Sequence, residues 1–187
     1  MTTYDQDLLQ AARRLIRRRT GQRGKLAAAS VRRSISTAYY ALFHFLLDEA
    51  ARELIGTHND LRRRRRTFAR MFSHAGIRTA LDKIRTANID TSVADLLRPR
   101  GVVSGPVASP SFARDLAAAF SDAQSKRHDA DYDLNKDFSE ADARLLISRL
   151  RGVILNPAVG WLRGAAESGG IRRHGRARAG FGGSPSG

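Results

Sequence analysis

Val31-Arg-Arg-Ser-Ile-Ser-Thr-Ala-Tyr-Tyr-Ala-Leu-Phe-His-Phe-Leu-Leu-Asp-Glu-Ala50 is the stretch whose reading decides the fold. Val31, Ile35, Ala38, Tyr39, Leu42, Phe43, Leu46 and Ala50 recur at steps of three and four, the spacing of one face of an α-helix. The apolar face is wide, as it must be for a helix surrounded by others in a bundle. The helical pattern covers 26–55, and Gly56 is placed to end it. The most apolar run, Ala38 to Leu47, is about half the length of a membrane span and is interrupted by His44.

The flanking segments read the same way. Residues 4–19 place Leu8, Ala12, Leu15 and Ile16 on one side and Arg13, Arg14, Arg17 and Arg18 on the other. A helix is expected near 60–75 with Phe68, Met71 and Phe72 inward, closed by Gly76, and a short one over 77–88. His74 would then sit at a helix end, beside the carbonyl dipole. Residues 111–128 carry Phe112, Leu116, Ala119, Phe120 and Ala123 on one face. Asp129 to Phe138 reads as an acidic break, after which Ser139 caps a last helix over 140–155 with Leu145, Leu146 and Ile147 inside. Residues 89–110, with Pro99, Gly101, Gly105, Pro106 and Pro110, read as a long loop, and 161–187 as a disordered Gly/Arg-rich basic tail. No strand pattern is present. The class is all-α, an antiparallel up-and-down bundle of four or five helices over 1–160.

The 187-residue chain has a net charge of +15 and no cysteine, which excludes disulfides, thiol nucleophiles and Cys-ligated metals. The excess charge is uneven: residues 1–100 contribute +12, 101–163 nothing, and 164–187 +3. Such a field suits a polyanion, although a bias toward arginine codons could also supply it. The first residues carry Asp5 and Asp7 and no leading apolar region, so a cytoplasmic location and no membrane contact are expected.

Four groups of residues could carry chemistry. Arg62, Arg63, Arg64, Arg65 and Arg66 circle a helix completely, so at least one points toward the core side or the turn is exposed, and they form either a phosphate-contacting patch or a solvated helix start. His44 is a hydrogen-bonded core histidine or a catalytic one, and His58 a cap or solvent-facing residue. Acidic or amide residues at Asp129, Asp131, Asp133, Asn135, Asp137 and Glu140 match a calcium-loop spacing, but Leu134 stands where that loop needs glycine. No two histidines are four apart, and no metal or cofactor is expected. The block Arg127-His-Asp-Ala-Asp-Tyr-Asp133 is either a local ion pair of Arg127 with Asp131 beside a packed Tyr132, or a polar cluster for phosphate or ribose.

Two blocks together, Arg33-Ser-Ile-Ser-Thr-Ala-Tyr39-Tyr40-Ala-Leu-Phe-His44 and Arg127-His-Asp-Ala-Asp131-Tyr132-Asp133, with Thr57-His58-Asn59 between them, resemble the HEPN family of nucleotide-binding helical domains over roughly residues 5–155. The resemblance implies an antiparallel helical bundle that often dimerises. It also implies either a metal-independent ribonuclease with Arg followed after four to six residues by His, or a partner of a small nucleotidyltransferase or antitoxin. Here Tyr132, not histidine, follows Arg127 at that spacing. The expectation is therefore a homodimer that binds RNA or a nucleotide through Arg33, Tyr40, Arg127, His128, Asp131 and Tyr132, without efficient turnover. In it Arg127 holds phosphate, Asp131 orients Arg127 and Tyr132 stacks. The alternatives are an endoribonuclease toxin using Arg127 with His128 or His44, and a protein-interaction subunit.

Overall fold

The structure, a computed structural model, describes residues 3–17, 24–86 and 111–156. The expected long loop at 89–110 and tail at 161–187 lie outside them. The described chain is all-α with six helices: α1 (Tyr4–Ile16), α2 (Lys25–Ile55), α3 (Arg62–Ala69), α4 (His74–Arg85), α5 (Ser111–Tyr132) and α6 (Glu140–Ile154). A single 3₁₀ turn, Asn59–Leu61, precedes α3.

The 31-residue α2 is the central element. Val31, Ile35, Ala38, Tyr39, Leu42, Phe45 and Leu47 are all buried, so its apolar surface extends around the helix, and α1, α3, α5 and α6 pack against it. Ala12 meets Ser34 and Tyr4 meets His44, which sets α1 antiparallel to α2. Ser36 meets Asp131 and Tyr39 meets Phe120, which sets α5 antiparallel to α2 as well. The buried Ser34 hydroxyl donates to the Ala12 carbonyl at 2.8 Å, so this polar group of the α1–α2 seam is satisfied.

The helix ends follow local rules. In α1, Asp5 and Asp7 occupy the first turn and Arg13 and Arg14 the last, matching the helix dipole. Gly56 ends α2 at φ 99°, a conformation that a Cβ makes costly. Ser139 and Asp142 form a reciprocal capping box at α6: Ser139 Oγ accepts from Asp142 N–H at 3.1 Å, and Asp142 Oδ2 accepts from Ser139 N–H at 2.9 Å.

Several expectations need correction. The helix expected over 60–75 ends at Ala69, and the one expected over 77–88 begins earlier, at His74, with a turn between them. Met71 and Phe72 fall in that turn, where helical period no longer fixes direction, and they are 78% and 38% exposed. Gly76 lies inside the first turn of α4, where its N–H donates to the Ser73 cap at 3.0 Å, so His74 opens a helix instead of closing one. Three consecutive residues cannot share a helix face: Leu146 and Ile147 are buried, but Leu145 is 70% exposed. Helix α5 runs on to Tyr132, which puts Asp129 and Asp131 within a helix and not in a ligand loop. Among the described residues no three His, Asp or Glu side chains gather as a metal site. No described helix is long and apolar enough to cross a membrane.

Candidate functional site

Along the α2–α5 seam, Arg32, Ser36 and Tyr40 follow one another at four-residue steps and all meet α5. Arg32 forks over the C-terminal end of α5. Its Nη1 donates to the carbonyls of Asp129, Ala130 and Asp133 at 3.3, 3.1 and 2.9 Å, and its Nη2 reaches those of Leu134 and Lys136. Two of these carbonyls belong to the last turn of α5 and three to the chain just beyond it, and a planar guanidinium answers several at once.

One turn inward, Arg127 lies among aromatic and acidic groups. Its guanidinium carbon is 5.6 Å from the Tyr40 ring centre and 5.5 Å from that of Tyr132. Its Nη2 donates to the Tyr40 hydroxyl at 3.1 Å. Its Nε stands 2.7 Å from Asp131 Oδ2, yet the N–H is not aligned as a hydrogen bond, so this contact is an ion pair held by charge. The other Asp131 oxygen accepts from the Ser36 hydroxyl. Burial works against the Arg127 charge, but Tyr40 and Asp131 outweigh it and hold the pKa above its usual value. The result is a cation fixed in orientation by three side chains.

Behind Tyr40 lies a histidine pair. His74 stacks on Phe43 with ring centres 3.9 Å apart, and its Nδ1 is 2.7 Å from the Tyr39 hydroxyl. Burial drives the Tyr39 pKa upward, so the phenol keeps its proton. Burial, then the Arg127 charge, then His44 push His74 below its ordinary value. A protonated phenol and a neutral imidazole share one hydrogen bond here, its direction set by which ring nitrogen carries the proton. His44 is half-buried and also lowered by burial, with Asp5 acting against the shift. The rings of His74 and His44 lie 5.8 and 6.5 Å from the Tyr40 ring.

A depression of about 660 Å³ opens beyond His44 between the start of α1, the second half of α2 and α3. Tyr4, Asp5, His44, Arg52, Arg62 and Arg66 line it. Arg65 is the arginine turned inward, donating to the carbonyls of Gly56 at 2.7 Å and His58 at 2.9 Å and so holding the α2–α3 turn. Arg62, Arg63, Arg64 and Arg66 are exposed, and no described carboxylate pairs with them.

Of the residues singled out in sequence, the structure brings Tyr40, Arg127, Asp131 and Tyr132 together. Tyr132 does not pack, being 65% exposed. His128 is exposed and touches the Tyr132 ring at 5.1 Å, with Arg127 and Arg78 along a smaller groove of about 320 Å³. Arg33 is exposed outside this network, one helical step from Arg32, which holds the position expected of it. His44 reaches the Arg127 cluster only through Tyr40. His74, Ser36 and Arg32 were not foreseen. The four-residue step from Tyr40 back through Ser36 to Arg32 was the available signal for two of them; His74 arrives from a separate helix and left no local signal. Comparison with family models, curated proteins and solved structures finds no match for this chain.

Proposed function

We propose that the protein binds single-stranded RNA, with the arginine face of α3 and its groove as the main contact. The observation that carries this reading is the pairing pattern around α3. Arg65 is occupied by the fold, while Arg62 and Arg66 flank it without a described acidic partner and wall a depression of about 660 Å³. Unpaired guanidinium groups beside a groove suit phosphates, which accept the planar fork. Exposed Tyr4 and Tyr132 offer rings on which unstacked bases can lie. The HEPN resemblance supports the same reading, because its two sequence blocks are those that meet at Tyr40 and Arg127. With it comes the expectation of a homodimer, to be sought by light scattering at tens of micromolar, where a dimer of micromolar Kd is populated. The test of the reading is titration of a single-stranded RNA at several salt concentrations. Binding whose logarithm falls steadily with log salt, by about 0.7 for each phosphate held, is expected. Absence of binding at low salt would end the reading.

A second reading, metal-independent RNA cleavage, draws on His128, which lines a groove of about 320 Å³ together with Arg127. An imidazole beside a phosphate-holding cation can take the proton of a 2′-hydroxyl. Incubation of the protein with RNA in excess EDTA, followed by gel analysis, decides it.

A further inference from the structure

Asp5 is the single buried carboxylate among the described residues, only 6% exposed, and its Oδ2 has no hydrogen-bond partner. A buried acceptor without a donor is costly, and native proteins rarely tolerate one without a use for it. It lines the same groove as His44, Arg62 and Arg66; the groove's other carboxylate, Asp48, is paired with Arg52. Tyr4 stands at the rim, 63% exposed, with its ring edge-on to His44 at 5.0 Å. The groove thus joins three demands that one molecule would have to meet: a hydrogen-bond donor for Asp5, a flat ring for Tyr4 and His44, and an anion for the arginines.

We infer that this groove selects a guanine nucleotide, with Asp5 reading the base; the inference rests on the RNA-binding reading and adds the base to it. Guanine presents two parallel donors, N1–H and the 2-amino group, on its Watson–Crick edge, and a carboxylate offers two acceptors at matching spacing. Adenine has an acceptor at N1 and a donor only at N6, cytosine gives one donor, and uracil gives one, N3–H, flanked by two carbonyls that repel the carboxylate. His44, kept neutral by its burial, lies beside the base without adding a charge that would compete for Asp5. Tyr4 can swing from its rim position without disturbing the core and close over the base. The volume of about 660 Å³ is in the range that holds a ligand of nucleotide size.

The test is competition by guanosine, inosine, adenosine, cytidine, uridine and xanthosine 5′-monophosphates against a labelled single-stranded RNA, on the full chain. Guanosine monophosphate should compete about 10- to 100-fold better than adenosine monophosphate, and inosine monophosphate, lacking the 2-amino group, should fall between them. Asp5→Asn keeps size and shape but replaces one acceptor with a donor. It should lose the guanine preference and favour xanthosine monophosphate, whose 2-carbonyl accepts from the new amide. Tyr4→Ala should weaken all bases alike, as loss of stacking does. Salt-dependent RNA binding with no base preference, or with a guanine preference that Asp5→Asn leaves intact, overturns this inference and leaves the RNA-binding reading standing. Failure of RNA and all nucleotides to bind overturns both.

Discussion

Replacing Arg62 and Arg66 together by glutamine should change the salt dependence of RNA binding by a calculable amount. Along an α-helix successive side chains turn by about 100°, so residues four apart lie about 40° from one another. Arg62 and Arg66 therefore share a face, and both line the groove. Arg64 falls on the opposite side of α3, and Arg63 on its flank. Arg65 already donates to Gly56 and His58 and is not available to a ligand. Two phosphates released from contact on a single strand remove about 1.4 from the slope of log K against log salt. Between about 50 and 200 mM salt the parent should thus lose about sevenfold more affinity than the double variant. Arg63→Gln with Arg64→Gln carries the same change in net charge and should leave the slope nearly as it was. Fluorescence anisotropy with a short RNA at four or five salt concentrations measures both. Equal flattening by the two pairs would show a diffuse field with no groove contact, and an unchanged slope in Arg62→Gln/Arg66→Gln would refute the placement outright.

The neighbouring arginines of α2 should separate sharply in stability. Arg32→Ala removes the fork over the α5 carbonyls and should cost about 2–3 kcal/mol, Arg32→Lys should recover only part, and Arg33→Ala should cost almost nothing, all readable in urea melts. Ser139→Ala breaks the capping box of α6 and should lower stability by about 1 kcal/mol in the same assay. His44 and His74 have pKa values below normal in the folded chain, so the unfolded chain takes up protons first as the pH drops. Their contribution to stability is complete above the unfolded value of about 6.5 and is lost as the pH falls below it toward the folded values. His74→Asn keeps an acceptor for Tyr39 but does not titrate, so its thermal midpoint should fall less than the parent's between about pH 7 and pH 5. An identical fall in both would remove His74 from the account.

The central helix was legible because its period is strong: Val31, Ile35, Ala38, Tyr39 and Leu42 are buried where spacing placed them. Sequence reading failed where spacing gives no direction. Met71 and Phe72 are apolar and close to helices, yet they sit in a turn, and Leu145 was grouped with Leu146 and Ile147 although adjacent residues on a helix diverge by about 100°. The Arg127–Asp131 pair was readable because its partners are one helical turn apart. Tyr39 with His74 was not, since a side chain from α4 reaching a tyrosine in the middle of α2 leaves no local trace. The choice between Arg32 and Arg33 turned on which faces α5, a fact of packing. Asp5 looked like an ordinary first-turn acid, and only the packing of α1 on α2 hides it from water.

Arg32 also sets an order on assembly. Ser34 finds Ala12 only 22 residues away, so α1 and α2 can pair as soon as both exist. The carbonyls that Arg32 clasps lie 97 to 104 residues later in the chain. While synthesis covers that distance, the side of α2 that will carry Ser36, Tyr39 and Tyr40 against α5 lacks those partners, and Arg32 holds only water. A nascent chain that has reached Thr86 therefore carries α1 to α4 with the flank of α2 that faces α5 bare, the state in which chaperone binding or self-association competes with completion.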